Sequence, residues 1–106
     1  MHIIKISTDF TTTPGARMKK DGLYSGEEFR ETILEKYFKM DDPEKLVINL
    51  DDVEGYSTAF LEEAFGGLVR IFGINAVKKR LEFISTEDPL LIEEINNYIE
   101  KAGKWK

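Results

Sequence analysis

Cysteine is missing from all 106 residues, and histidine occurs once, as His2. The first absence excludes a disulfide framework and thiolate chemistry. The second removes the side chain most used for base catalysis near neutral pH and for metal ligation. A histidine-based metal site or a Ser-His-Asp triad is therefore not expected. Positive charge is in deficit: 15 Lys and Arg stand against 20 Asp and Glu, a net charge of -5. That balance argues against a broad nucleic-acid surface, which favours the opposite sign. No apolar run approaches the roughly 20 residues of a membrane span. The opening "MHIIKIS" lacks a basic region followed by a long apolar segment, so a signal peptide is not expected. P-loop, G-x-G-x-x-G, nucleophile-elbow and zinc spacings are also missing. The expectation is a cytoplasmic protein with no cofactor, no metal, no nucleic-acid partner and no membrane contact.

What is present is enough for a core. A hydrophobic content of 42% over this length suits a single domain spanning 1–106, burying about two-thirds of its unfolded surface. The stretch "HIIKIS" is short and β-branched and reads as a first strand. A long connection, Thr8 to Tyr24, follows. In "SGEEFRETILEKYFKM", Ser25 and Glu28 have capping-box spacing, and Phe29, Ile33, Tyr37 and Met40 form an inward stripe that Leu34 and Phe38 widen. Pro43 marks the break after this helix. "KLVINLDDV" is almost continuously apolar up to Leu50, as expected of an interior strand covered on both faces. "STAFLEEAFGGLVRIF" is a second helix with Gly73 as its stop. "RLEFIS" is a third strand, with "KKR", Lys78 to Arg80, as its charged entry. Asp88 and Pro89 open a final helix whose stripe is Leu91, Ile92, Ile95, Tyr98, Ile99 and Ala102. Alternating strands and helices predict an α/β sandwich with mainly parallel central strands in a mixed sheet and about three helices. Its functional edge would be the carboxyl ends of the strands, at "DDVEGYS" and "STED".

The second helix carries the strongest anomaly. Gly66 and Gly67 sit in its middle, and each costs roughly 0.8–1 kcal/mol relative to alanine. Glu63, Gly66, Gly67 and Arg70 are spaced i, i+3, i+4, i+7 and share one face. Two readings stand: close packing within the fold, or a docking groove for another protein flanked by Glu63 and Arg70. In the Thr8–Tyr24 loop, beside Asp9, Lys19, Lys20 and Asp21, Arg17 is able to clamp a phosphate or carboxylate. The acidic pairs Asp41–Asp42, Asp51–Asp52 and Glu62–Glu63 are not paired catalytic carboxylates by themselves, because neighbours diverge by about 100° on a helix and to opposite sides on a strand.

Two blocks resemble a known family. "FTTTPGARMKKDGLYSGEEFRETIL" is similar to a pattern containing D-G and S-G-E-x-F-R. "INLDDVEGYSTAFLEEAFGGLVR" is similar to one ending F-L-E-E-A-F-G-G-L-x-R. They are those of the STAS-like domains of unassigned function found in bacteria and phages, distant relatives of anti-sigma-factor antagonists. The resemblance covers most of Phe10 to Arg70; beyond Gly73 only the strand-helix order matches. It implies a STAS-like fold and a regulatory protein partner, such as a histidine-kinase-like ATPase or an anti-sigma factor. In true antagonists a serine at the start of the corresponding helix is phosphorylated, and Ser57, with Thr58 beside it, takes that place. Tyr56 stands where those proteins have aspartate, and Ala59 where they have glycine. The residues alone also allow Ser57 to be an N-cap and no more.

Two functions are thus expected to compete. One is a non-enzymatic interaction module, switched at Ser57, with Glu63, Gly66, Gly67 and Arg70 as its face. The other is a small-ligand or nucleotide domain, conceivably a weak enzyme, that uses the Thr8–Tyr24 loop and the helix N-terminus, with Arg17 and Ser57 as its anion site and Asp21 and Thr58 as further candidate binding residues. Self-association into a homo-oligomer stays open under both.

Overall fold

The structure is a computed structural model that describes residues 1–39 and 44–104. Met40 of the first stripe, Pro43 and the Asp41–Asp42 pair lie outside the described residues. Three strands form one sheet: β1 (His2–Lys5), β2 (Leu46–Asn49) and β3 (Leu81–Ile84). Their order is β1-β2-β3 and both pairings are parallel. The apolar Leu46–Leu50 run is therefore interior, as its composition requires. Among the described residues the sheet is wholly parallel rather than mixed.

Register explains the burial. Ile4, Ile48 and Phe83 form one row and His2, Leu46 and Leu81 another. Ile4, Ile48, Leu46 and Leu81 belong to the core, and Phe83 packs against it. The opposite face holds the rows Ile3–Val47–Glu82 and Lys5–Asn49–Ile84. It is open at Ile3, Glu82 and Ile84, whereas Val47, between two neighbouring strands, is 5% exposed. The expectation of cover on both faces of β2 thus holds at Val47 and not at its flanks.

Helices supply the rest of the core. A short helix α1 (Ile6–Asp9) directly follows β1, so the first strand ends two residues before "HIIKIS" does. The local cause is Asp9, whose carboxylate accepts the Lys5 amide at 2.8 Å. Helix α2, residues 26–39, starts at Ser25, whose hydroxyl accepts the Glu28 amide. Helix α3, residues 58–72, starts at Ser57 in the same way. Each has a widened π-helical turn inside it, Arg30–Leu34 in α2 and Glu62–Gly66 in α3. Gly73, at φ 92°, ends α3 in a conformation that side chains resist. The chain then turns at once into α4 (Ile74–Arg80), a helix that the sequence reading passed over. Lys78, Lys79 and Arg80 are its last turn rather than the entry to a strand; basic side chains suit a helix C-terminus. Helix α5 (Leu90–Gly103) follows β3, with the Asp88 carboxylate accepting the Leu90 amide. Phe29 and Leu34 of α2, Phe60, Leu61, Ala64, Phe65, Leu68 and Val69 of α3, and Ile95, Ile99 and Ala102 of α5 complete a contiguous core. Helix α3 packs between α2 and α5. That position accounts for an apolar arc too wide for a one-sided surface helix.

Candidate functional site

The carboxyl ends of the strands are laced together by acidic loops. The Asp51 carboxylate accepts the Thr86 hydroxyl at 2.6 Å and the Glu87 amide at 3.1 Å. These bonds hold the Asp51 carboxyl below its usual range. Glu87 in turn accepts the Asp52 amide at 2.7 Å, and Lys5 pairs with Asp52 at 2.6 Å. The Tyr56 hydroxyl donates to the Leu50 carbonyl at 2.8 Å. Burial pushes that hydroxyl's pKa up, with Asp51 and Glu87 adding to it, so it stays a neutral donor. A crevice of about 350 Å³ opens here, lined by Asp51, Glu54, Tyr56, Glu87, Asp88 and Glu94 among others. Its carboxylates make it a poor anion site. Among the described residues, no group of three or more His, Asp or Glu is placed to hold a metal ion.

Ser57 stands at the rim of this end and is exposed. Its hydroxyl has two partners. It accepts the Phe60 amide at 3.0 Å, closing the first turn of α3, and it donates to the Gly15 carbonyl at 3.1 Å. The second bond ties the helix to the long loop. The segment 12–24 runs as a strap across the starts of α2 and α3. Its backbone bonds are Glu54 N to Thr12 O, Gly15 N to Tyr24 O, Gly26 N to Ala16 O and Glu27 N to Arg17 O, all between 2.8 and 3.0 Å. Tyr24 stacks edge-on against Phe10 with centroids 5.6 Å apart, at a backbone φ of 54° that is unusual for a bulky residue. Asp21 lies exposed in a 3₁₀ turn (Lys19–Asp21), and Thr58 is exposed at the first position of α3.

Beyond Ser57, six charged side chains from three parts of the chain converge on the α2–α3 contact. The Arg30 side chain is 9% exposed, and its guanidinium reaches Glu35 at 2.9 Å, Glu63 at 2.6 Å and the Glu63 carbonyl at 3.2 Å. Burial works to lower the Arg30 pKa, yet the bonds to Glu35 and Glu63 outweigh it and the net shift is upward. Arg70 bonds Glu62 at 2.7 and 3.1 Å. Arg17 reaches from the strap to Glu62 at 2.5 Å and Glu63 at 3.5 Å. Its Arg70 hydrogen bond is the main reason that the Glu62 carboxyl sits below the usual range; Arg17 adds to this and partial burial opposes it. Three arginines and three glutamates thus cancel in charge.

The two glycines are answered by this cluster. Both are buried. A Cβ on Gly66 would overlap the Glu62 carboxylate, and one on Gly67 would stand 2.7 Å from Arg30 Nη1 and 3.2 Å from Arg30 Cδ. Bare backbone makes room for the ion pairs to lie across α3. Side chains of Glu62, Arg70 and Arg30 lie against this face. The structure brings Arg17, Glu63, Gly66, Gly67 and Arg70 together, and it holds Ser57 against the strap; among the described residues, neither Asp21 nor Thr58 takes part in these ion pairs.

Sequence reasoning missed Arg30 and Glu35, and it treated Glu62 only as half of an acidic pair. The available signal was Arg30 itself, a charged residue beside Phe29 on the arc that Ile33 and Leu34 extend. Glu62 and Glu63 diverge along the helix, yet the long Arg17 side chain reaches both.

A family model described as a STAS-like domain of unknown function matches residues 25–91. That span takes in α2, β2, α3, α4 and β3 and stops at the second residue of α5. No curated protein and no solved structure gives a match.

Proposed function

The chain belongs to the family of STAS-like domains of unknown function, and from that premise we propose that it is a non-enzymatic, cytoplasmic interaction module whose binding is switched by phosphorylation at Ser57. The single observation that carries this reading is the position of the Ser57 hydroxyl. It is exposed, it caps α3, and it also holds the strap through Gly15. A phosphate at a helix N-terminus meets unpaired amides and the positive end of the dipole. One added group there alters the helix start and the strap together. The partner in this proposal is a regulatory protein of the histidine-kinase-like ATPase or anti-sigma class.

The rival function, an anion-binding domain, has no comparable support. Arg17 already serves two carboxylates, and the crevice beside Tyr56 is lined with acid groups. The experiment is capture of partners from the native cell on the immobilised chain, followed by a phosphorylation assay with the captured protein and labelled ATP. Label on the wild type that maps to Ser57, and is lost in Ser57→Ala, is expected. A captured ATPase that leaves Ser57 unlabelled sinks the switch.

A further inference from the structure

We infer that the strap, residues 12–24, is the moving part of the Ser57 switch: a phosphate on Ser57 breaks the Gly15 hold on the start of α3 and draws Arg17 from Glu62 and Glu63 onto the phosphate. This rests on the reading of Ser57 given above and adds what the modification would move. In the modification itself, the Ser57 Oγ–P bond forms as the bond between the γ-phosphorus and its bridging oxygen breaks in a nucleoside triphosphate. The triphosphate is held by the partner kinase, the hydroxyl proton passes to a base of that kinase, and the nucleoside diphosphate leaves.

The chemistry of one oxygen drives the first half. As a hydroxyl, Ser57 Oγ donates its proton to the Gly15 carbonyl. As a phosphoester it has no proton to give. The carbonyl then loses its donor and faces phosphoryl oxygens carrying about -1.5 to -2 charges. Asp51, Asp52 and Glu54 precede Ser57 in the same loop and repel that charge further, while Lys5 is held by Asp52.

The redundancy of the ion cluster drives the second half. If Arg17 leaves, Glu62 keeps both bonds to Arg70 and Glu63 keeps its 2.6 Å bond to Arg30. Neither carboxylate is stranded, so the penalty that normally follows removal of an ion-pair partner is small here. Arg17 also has open space to swing into, with its side chain 40% exposed. Its reach suffices: it lies two residues from Gly15, at most about 7 Å of chain, and Glu62 is five residues past Ser57, about 7.5 Å along the helix.

The test needs no partner. Phosphoserine is placed at position 57 of the full chain by genetic encoding, and amide exchange is compared with the unmodified protein. The Gly26 and Glu54 amides, bonded to Ala16 and Thr12 of the strap, should exchange about tenfold faster or more. Titration followed by phosphorus NMR should place the second phosphate ionisation below its ordinary value of about 6, and Arg17→Gln should raise it back. Unchanged exchange at both amides overturns strap release. A phosphate titration indifferent to Arg17→Gln overturns the transfer of Arg17. Both readouts are independent of whether any kinase modifies Ser57, so they fail separately from the proposed function.

Discussion

Helices α2 and α3 start alike: in each a serine Oγ accepts, at 3.0 Å, the amide three residues on. Each then widens into a π turn that carries the charges of the α2–α3 contact, Arg30 in one and Glu62 with Glu63 in the other. The difference lies in access. Ser25 is 0% exposed, whereas Ser57 is exposed and bonded to a loop. The same cap chemistry is therefore enclosed in one helix and reached by solvent in the other. A similar contrast separates the two sides of the ion cluster. Arg30 is enclosed between the helices, and Arg70 and Arg17 are each 40% exposed at its edge.

The largest effect should come from the enclosed side. Arg30→Ala leaves Glu35 and Glu63 without their inner partner and is expected to cost about 3 kcal/mol in urea unfolding. Arg70→Ala, at the exposed edge, should cost under about 1 kcal/mol. Equal losses would mean that enclosure does not set the worth of these pairs. Next come the glycines. In Gly67→Ala the new methyl meets an arginine pinned at both ends, and about 1–3 kcal/mol of stability should be lost. In Gly66→Ala it meets the end of the Glu62 side chain at the partly exposed edge, where the carboxylate and Arg70 have room to shift together, and the helix-propensity gain of up to about 1 kcal/mol should roughly offset that displacement. Thermal unfolding of the two variants decides the matter; stabilisation in both would show that the helix face has free room.

Smaller again is the comparison of caps. Ser25→Ala and Ser57→Ala should each cost about 1 kcal/mol, the buried one more, but only Ser57→Ala should loosen the strap. Proteolysis near residues 12–24 is the readout, and equal cleavage of both variants would break the distinction drawn between the two serines. The smallest effect is acid sensitivity at the edge. The Glu62 carboxyl is held below its usual range in the folded chain. Its contribution is therefore complete above the unfolded carboxylate pKa and is lost as pH falls through the lower folded one. Glu62→Gln should flatten the fall in stability below about pH 4; an unchanged slope would assign the fall to other carboxylates.

Much of this architecture was legible in the sequence. The Leu46–Leu50 run has no polar face, so it had to be interior, and hydroxyl side chains at Ser25 and Ser57 before apolar arcs marked both helix starts. These are local or one-dimensional signals: periodicity, caps and stops act within a few residues. The break of β1 after Lys5, the helix at Ile74–Arg80 and the widened turns escaped because each turns on a single bond or on packing. The strap and the ion cluster escaped for a different reason. The Arg17–Glu62 and Arg30–Glu63 pairs are separated by 45 and 33 residues, and nothing in composition tells which carboxylate a guanidinium will meet. Residue order and composition by themselves determined an acidic α/β domain with an interior strand and two serine-capped helices. Only the tertiary structure decided that Ser57 is accessible while Ser25 is not, and that Gly66 and Gly67 lie under salt bridges. Exposure and ion pairing are properties of the surfaces that meet, and those surfaces exist only once distant segments have packed.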